Sequence, residues 1–107
     1  MKRILLTPYP GKVILCRNQK EFHSQYFKWT KTRLNGLNCE NGASVELELP
    51  GCQNLYLVYA NNKASLAHEF CHVLLRLFKV INSDPADGRG EPFAYMMSHL
   101  MEEAAKK

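Results

Sequence analysis

Residues 54–81 read NLYLVYANNKASLAHEFCHVLLRLFKVI, and this stretch decides the fold. Its first part, Asn54–Ala60, is apolar and aromatic on both faces, as expected for a well-covered strand. Asn61-Asn62 ends that strand. Residues 64–81 then run without an internal helix breaker, so a long helix is expected. At about 100° per residue, Phe70, Val73, Leu74, Leu77, Phe78 and Ile81 gather on one side. His68 and His72 gather roughly opposite. The helix therefore has a core side and a second, polar side that the core does not explain.

Working outward, Ala43–Leu49 alternates, with Val45, Leu47 and Leu49 on one side and Glu46 and Glu48 on the other, as in a half-buried strand. Pro50-Gly51 turns that strand towards Asn54. Nearer the N-terminus, Lys12–Arg17 reads as a short strand after the turn signal Pro10-Gly11. Asn18 is placed to cap a helix starting at Gln19, on which Phe22, Tyr26 and Trp29 share a face. That face is expected to pack on a sheet. Residues 30–42 read as loop, and so does Asn82–Gly90. A last helix covers 91–105, with Pro92 tolerated in its first turn. The order β-α-β-β-α-α predicts an α+β fold. With 107 residues there is room for one core. A single domain, 1–107, is expected, with a sheet and supporting helix in 1–60 and site helices in 61–107.

Composition narrows the class. Hydrophobic residues make up 46% and charged residues 22%, which excludes a disordered chain. No apolar run approaches the ~20 residues of a membrane helix, so no membrane partner is expected. The run Ile4-Leu5-Leu6 is too short for the apolar core of a signal peptide, which favours a cytoplasmic location. Cys16, Cys39, Cys52 and Cys71 form no Cys-x-x-Cys pair. Free thiols are the expectation there, with two disulfides as the alternative in an oxidised, exported form. Charge is uneven. Residues 1–33 carry eight Lys/Arg against the single acid Glu21, whereas 34–107 carry six against nine acids. A basic third is either a solvated face or a surface for an acidic partner.

The polar side of the long helix carries His68-Glu69-Phe70-Cys71-His72, an HExxH array. Positions i and i+4 lie one above the other, so both histidines are able to point nitrogens at one metal ion. Glu69 is turned by about 100° from His68 and is suited to take a proton from a water on that metal. Composition alone would produce such a match in roughly one chain of this length in a hundred. A catalytic zinc site usually has three protein ligands and an open position. Glu91, opening the last helix, gives the pattern HExxH-x18-E. Asp84, Asp87 and His99 are the other candidates for the third ligand. Tyr95 and His99 follow Glu91 at i+4 and i+8 and are candidates for stabilising an oxyanion or holding a product carboxylate.

His68, Glu69 and His72, with Glu91 at this spacing, resemble the gluzincin branch of the zincin metallopeptidases, the branch of thermolysin and the zinc aminopeptidases. The wider run, from YLVYA through SLAHEFCHVLL to EPFAYMMSHL, resembles small metallopeptidases of tailed phages and prophages. The resemblance implies Zn2+ held by His68, His72 and Glu91, and Glu69 as general base in peptide-bond hydrolysis. It implies a peptide or protein substrate lying extended along the strand before the active helix, here Leu55–Tyr59. No Gly-Ala-Met-Glu-Asn-type substrate motif is found, so an open groove is expected. Two other functions compete with hydrolysis. One is a phage-type protein that binds or inhibits a host protein in the host-cell cytoplasm, with or without metal. The other is nucleic-acid association through Lys20, Lys28, Trp29, Lys31 and Arg33.

Overall fold

The computed structural model describes residues 1–33, 41–49 and 53–106. The elements are β1 (Lys2–Leu5), β2 (Lys12–Cys16), α1 (Gln19–Thr30), β3 (Gly42–Leu49), β4 (Gln53–Ala60), α2 (Lys63–Val80), a short 3-10 turn (Asp87–Gly90) and α3 (Glu91–Ala105). This is an α+β fold with one strand more than the sequence suggested. β1 was not foreseen because four residues with charges at both Lys2 and Arg3 give little periodicity. It exists because it pairs antiparallel with β2, Ile4 opposite Val13.

The four strands form one sheet in the order β1-β2-β4-β3. β2 and β4 are parallel neighbours, with Ile14 opposite Leu57, and β3 and β4 are antiparallel, with Glu46 opposite Tyr56. Side chains alternate across the sheet, so each face builds its own core. On one face α1 lays Phe22, Tyr26 and Trp29 against Ile14, Cys16, Ala43, Leu47, Leu55 and Leu57. On the other, α2 and α3 cover Ile4, Leu6, Val13, Tyr56 and Val58. The apolar side of α2 is buried there through Phe70, Val73, Leu74, Leu77 and Phe78. Each such side chain contributes about 1.5–3 kcal/mol on burial, which fixes the rotation of α2 about its axis.

Helix starts follow their local chemistry. Asn18 accepts from the Glu21 amide at 2.8 Å, and Asn62 accepts from the Ser65 amide at 2.8 Å. Gly88, Arg89 and Gly90 take left-handed conformations in succession and turn the chain into α3. Phe93 at the start of α3 then packs edge-on against Phe78, with ring centroids 5.5 Å apart. Among the described residues no helix is long and apolar enough to cross a membrane. Cys16 is buried and Cys71 half-buried, both as free thiols, and Cys39 and Cys52 lie outside the described residues. Burial pushes the Cys16 thiol up to about 11, which makes it a poor nucleophile.

Candidate functional site

The Asn62 cap fixes where α2 begins and so sets the phase of its polar flank. His68 and His72 stand one turn apart on that flank, both exposed. Their Nε2 atoms approach to 3.1 Å, with the rings 4.7 Å apart and nearly perpendicular. Such a contact is a hydrogen bond when one ring carries the proton and the other offers a lone pair. Two nitrogens at about 2.0–2.1 Å from one tetrahedral zinc would lie about 3.4 Å apart. The pair therefore fits a metal ion with a shift of a few tenths of an ångström.

Glu69 is turned towards the sheet and only 8% exposed. It lines a cleft of about 370 Å³ with His68, Ser65, Ala64 and the residues Asn41 and Gly42 at the start of β3. Gly42 is a requirement of this cleft. A Cβ there would sit 2.8 Å from the Tyr59 carbonyl oxygen and 3.3 Å from Glu69 Cγ. The Asn41 carbonyl accepts from the Asn61 amide at 3.0 Å, which ties the start of β3 to the end of β4. From the sequence Asn41 and Gly42 read only as turn formers of the 30–42 loop; Gly42 instead opens β3, and the fold alone brings both to Glu69.

The other ligand candidates are placed elsewhere. Glu91 lines a separate cleft with Thr7, Pro8, Tyr9, Tyr95 and His99, on the β1 side of the sheet. The HExxH cleft lies at β3, the opposite edge, three strand spacings or about 14 Å away. The packing of Phe93 on Phe78 explains this. Phe78 is six positions past His72, about 120° around the helix and about 9 Å along it. Asp84 accepts from the Ala86 amide at 2.9 Å within its loop. His99 Nε2 contacts the Leu5 carbonyl oxygen at 3.1 Å and so ties α3 to β1. Tyr95 is 75% exposed. Among the described residues no three His, Cys, Asp or Glu side chains converge in a group able to hold a metal.

The strand expected to pair with a substrate is also different. β4, which contains Leu55–Tyr59, is bonded to β2 on one side and β3 on the other. It has no free edge. Among the described residues the open edge beside the HExxH cleft belongs to β3.

One further polar cluster borders the site. Glu69, His72 and Arg76 fall at i, i+3 and i+7 and share the flank of α2 that faces β3. Among the described residues Glu46 Oε2, Tyr56 Oη and Arg76 Nη1 are buried and make no well-formed hydrogen bond, although Tyr56 Oη lies close to Asn54 and Glu46. Burial pushes the Tyr56 phenol up to about 12, and the Glu46 carboxylate opposite it adds to the rise. The sequence signal for Arg76 was its i+4 spacing from His72. Tyr56 was legible only as part of an apolar strand.

No family model matches the chain, and neither a curated protein nor a solved structure does.

Proposed function

We propose that this chain is a zinc-dependent metallopeptidase that hydrolyses a peptide bond, with Glu69 as general base. The observation that carries the reading is the convergence of His68 and His72 at 3.1 Å, with His68 lining one cleft together with the nearly buried Glu69. His68 and His72 would hold the metal through Nε2. Zinc bound there supplies Lewis acidity that activates a water and polarises a carbonyl. Glu69 would accept a proton from the attacking water and deliver it to the leaving amine. An extended peptide would add to the free edge of β3, where main-chain pairing supplies affinity without a large enclosing pocket.

Metal content and turnover test this separately. The protein supplied with zinc at neutral pH should hold one ion per chain. His68→Ala and His72→Ala should each weaken zinc binding by about a hundredfold or more. Glu69→Gln should keep the metal and lose peptide hydrolysis by about 10²–10⁴-fold. Absence of zinc binding, or unchanged hydrolysis in Glu69→Gln, overturns the reading.

The placement of Glu91 away from the histidines favours a second reading, a host-protein binder that keeps the HExxH cleft without turnover. Glu69→Gln would then leave partner binding intact, with no hydrolysis in either form.

A further inference from the structure

The basic N-terminal third is not used by the HExxH cleft. Two of its cations, Lys2 and Arg17, line a different cleft with Lys63 and Lys106. This cleft measures about 470 Å³, and among the described residues no Asp or Glu lines it. It lies at the carboxyl ends of the parallel strands β2 and β4. After β2 the chain enters α1 on one face of the sheet, and after β4 it enters α2 on the other. The two connections diverge, so neither helix covers the crevice between the strand ends. Ligands of open α/β sheets bind in such crevices.

Three of the four cations, Lys2, Arg17 and Lys106, are held in place rather than free to swing. Lys2 Nζ donates to the carbonyl of Glu103 at 2.8 Å, and also to that of Lys106. Arg17 is paired through Nη2 with Glu21 at 3.2 Å, and Lys106 with Glu103 at 3.0 Å. Lys63 has no ion pair among the described residues and occupies the first position of α2. A cation there opposes the helix dipole, and the first turn of α2 contains no acid to offset it. The first helical hydrogen bond runs from the Leu66 amide to the Asn62 carbonyl, so the Lys63 and Ala64 amides precede the ladder. The walls between the charges are apolar, chiefly Leu15 and Leu66.

We propose that this cleft binds a phosphate monoester carried on a flat, largely apolar body, with a nucleoside monophosphate as the size-matched case. The phosphate would lie against Lys63 and Arg17 at the start of α2, and the body between Leu15 and Leu66. An anion there would meet the unpaired charge of Lys63 and the helix dipole, with Arg17, Lys2 and Lys106 nearby although already partnered.

Calorimetric titration of the full chain with AMP, adenosine and inorganic phosphate tests the assignment. AMP should bind saturably, inorganic phosphate should compete with it, and adenosine should bind at least about tenfold more weakly. Lys63→Glu and Lys63→Gln should each lower AMP affinity about tenfold or more. Position 63 is exposed at a helix start, so both variants should fold, as circular dichroism would verify. His68→Ala should leave AMP affinity unchanged, which separates this site from the proposed metal centre. The assignment is overturned if AMP binds no more tightly than adenosine, or if neither Lys63 variant weakens it. It is also overturned if a single-stranded oligonucleotide binds while AMP does not, which would give the charge to nucleic acid.

Discussion

Gly42 at the start of β3 packs directly against Glu69 on α2, so closely that a Cβ at position 42 would crowd the Glu69 side chain. A Cβ on Gly42 would meet Glu69 Cγ at 3.3 Å and the Tyr59 carbonyl at 2.8 Å. The second distance involves backbone, so a substitution must move a strand rather than a flexible tip. Gly42→Ala should therefore destabilise the protein by about 1–3 kcal/mol, the usual cost of overpacking. It should also displace Glu69, so hydrolysis should fall while zinc affinity changes little. Urea unfolding, zinc titration and peptide turnover on the same variant check all three.

The placement of Glu91 leads to a sharp contrast between two carboxylates. Glu91 lines the β1-side cleft with His99 and Tyr95, away from the histidine pair. Glu91→Gln is expected to leave zinc affinity within about twofold of the parent, whereas His72→Ala should lower it about a hundredfold or more. Competition titration against a chelator of known affinity measures both. A loss in Glu91→Gln as large as that in His72→Ala would show that the first turn of α3 closes on the metal.

The orphaned hydroxyl of Tyr56 gives a stability prediction. The residue is fully buried, and its Oη, close to Asn54 and Glu46, makes no well-formed hydrogen bond among the described residues. Removing an unsatisfied polar group while keeping the ring should not weaken packing. Tyr56→Phe should raise stability by about 1 kcal/mol in urea denaturation. A drop of similar size would mean that the hydroxyl is satisfied in solution, by a water between Glu46 and Arg76.

Glu21 makes acid stability depend on the start of α1. Its carboxyl is held below the ordinary value of 4.5, first by the Arg17 amide at 3.0 Å and then by the Arg17 guanidinium. Folding therefore gains from this carboxylate above its unfolded value, and the gain disappears as pH falls through the lower folded one. Glu21→Gln should be less stable than the parent near pH 6, and the difference should shrink near pH 3. Unfolding midpoints at the two pH values test this. A gap that widens in acid would contradict it.

Much of the molecule was legible before any coordinates. The span of α2, its buried Phe70-to-Phe78 side and its pair of histidines all follow from residues a few positions apart. So do the Asn18 cap and the Phe22-Tyr26-Trp29 face of α1. Local geometry fixes these, because spacing along a helix is also spacing around it. The sequence by itself determined an α+β chain with an HExxH helix whose two faces have opposite chemistry. Tertiary structure decided the rest. β3, not β4, is the edge strand, because β1 and β2 add on the other side of β4. Glu91 lies across the sheet from His68, because Phe93 seats on the flank of α2 that points away from the histidines. Lys2, Arg17, Lys63 and Lys106 share a cleft although they are spread over most of the chain. Each of these depends on which surfaces pack together over long sequence separations. No local pattern carries that information, since the same strand or helix would satisfy its own periodicity in either arrangement.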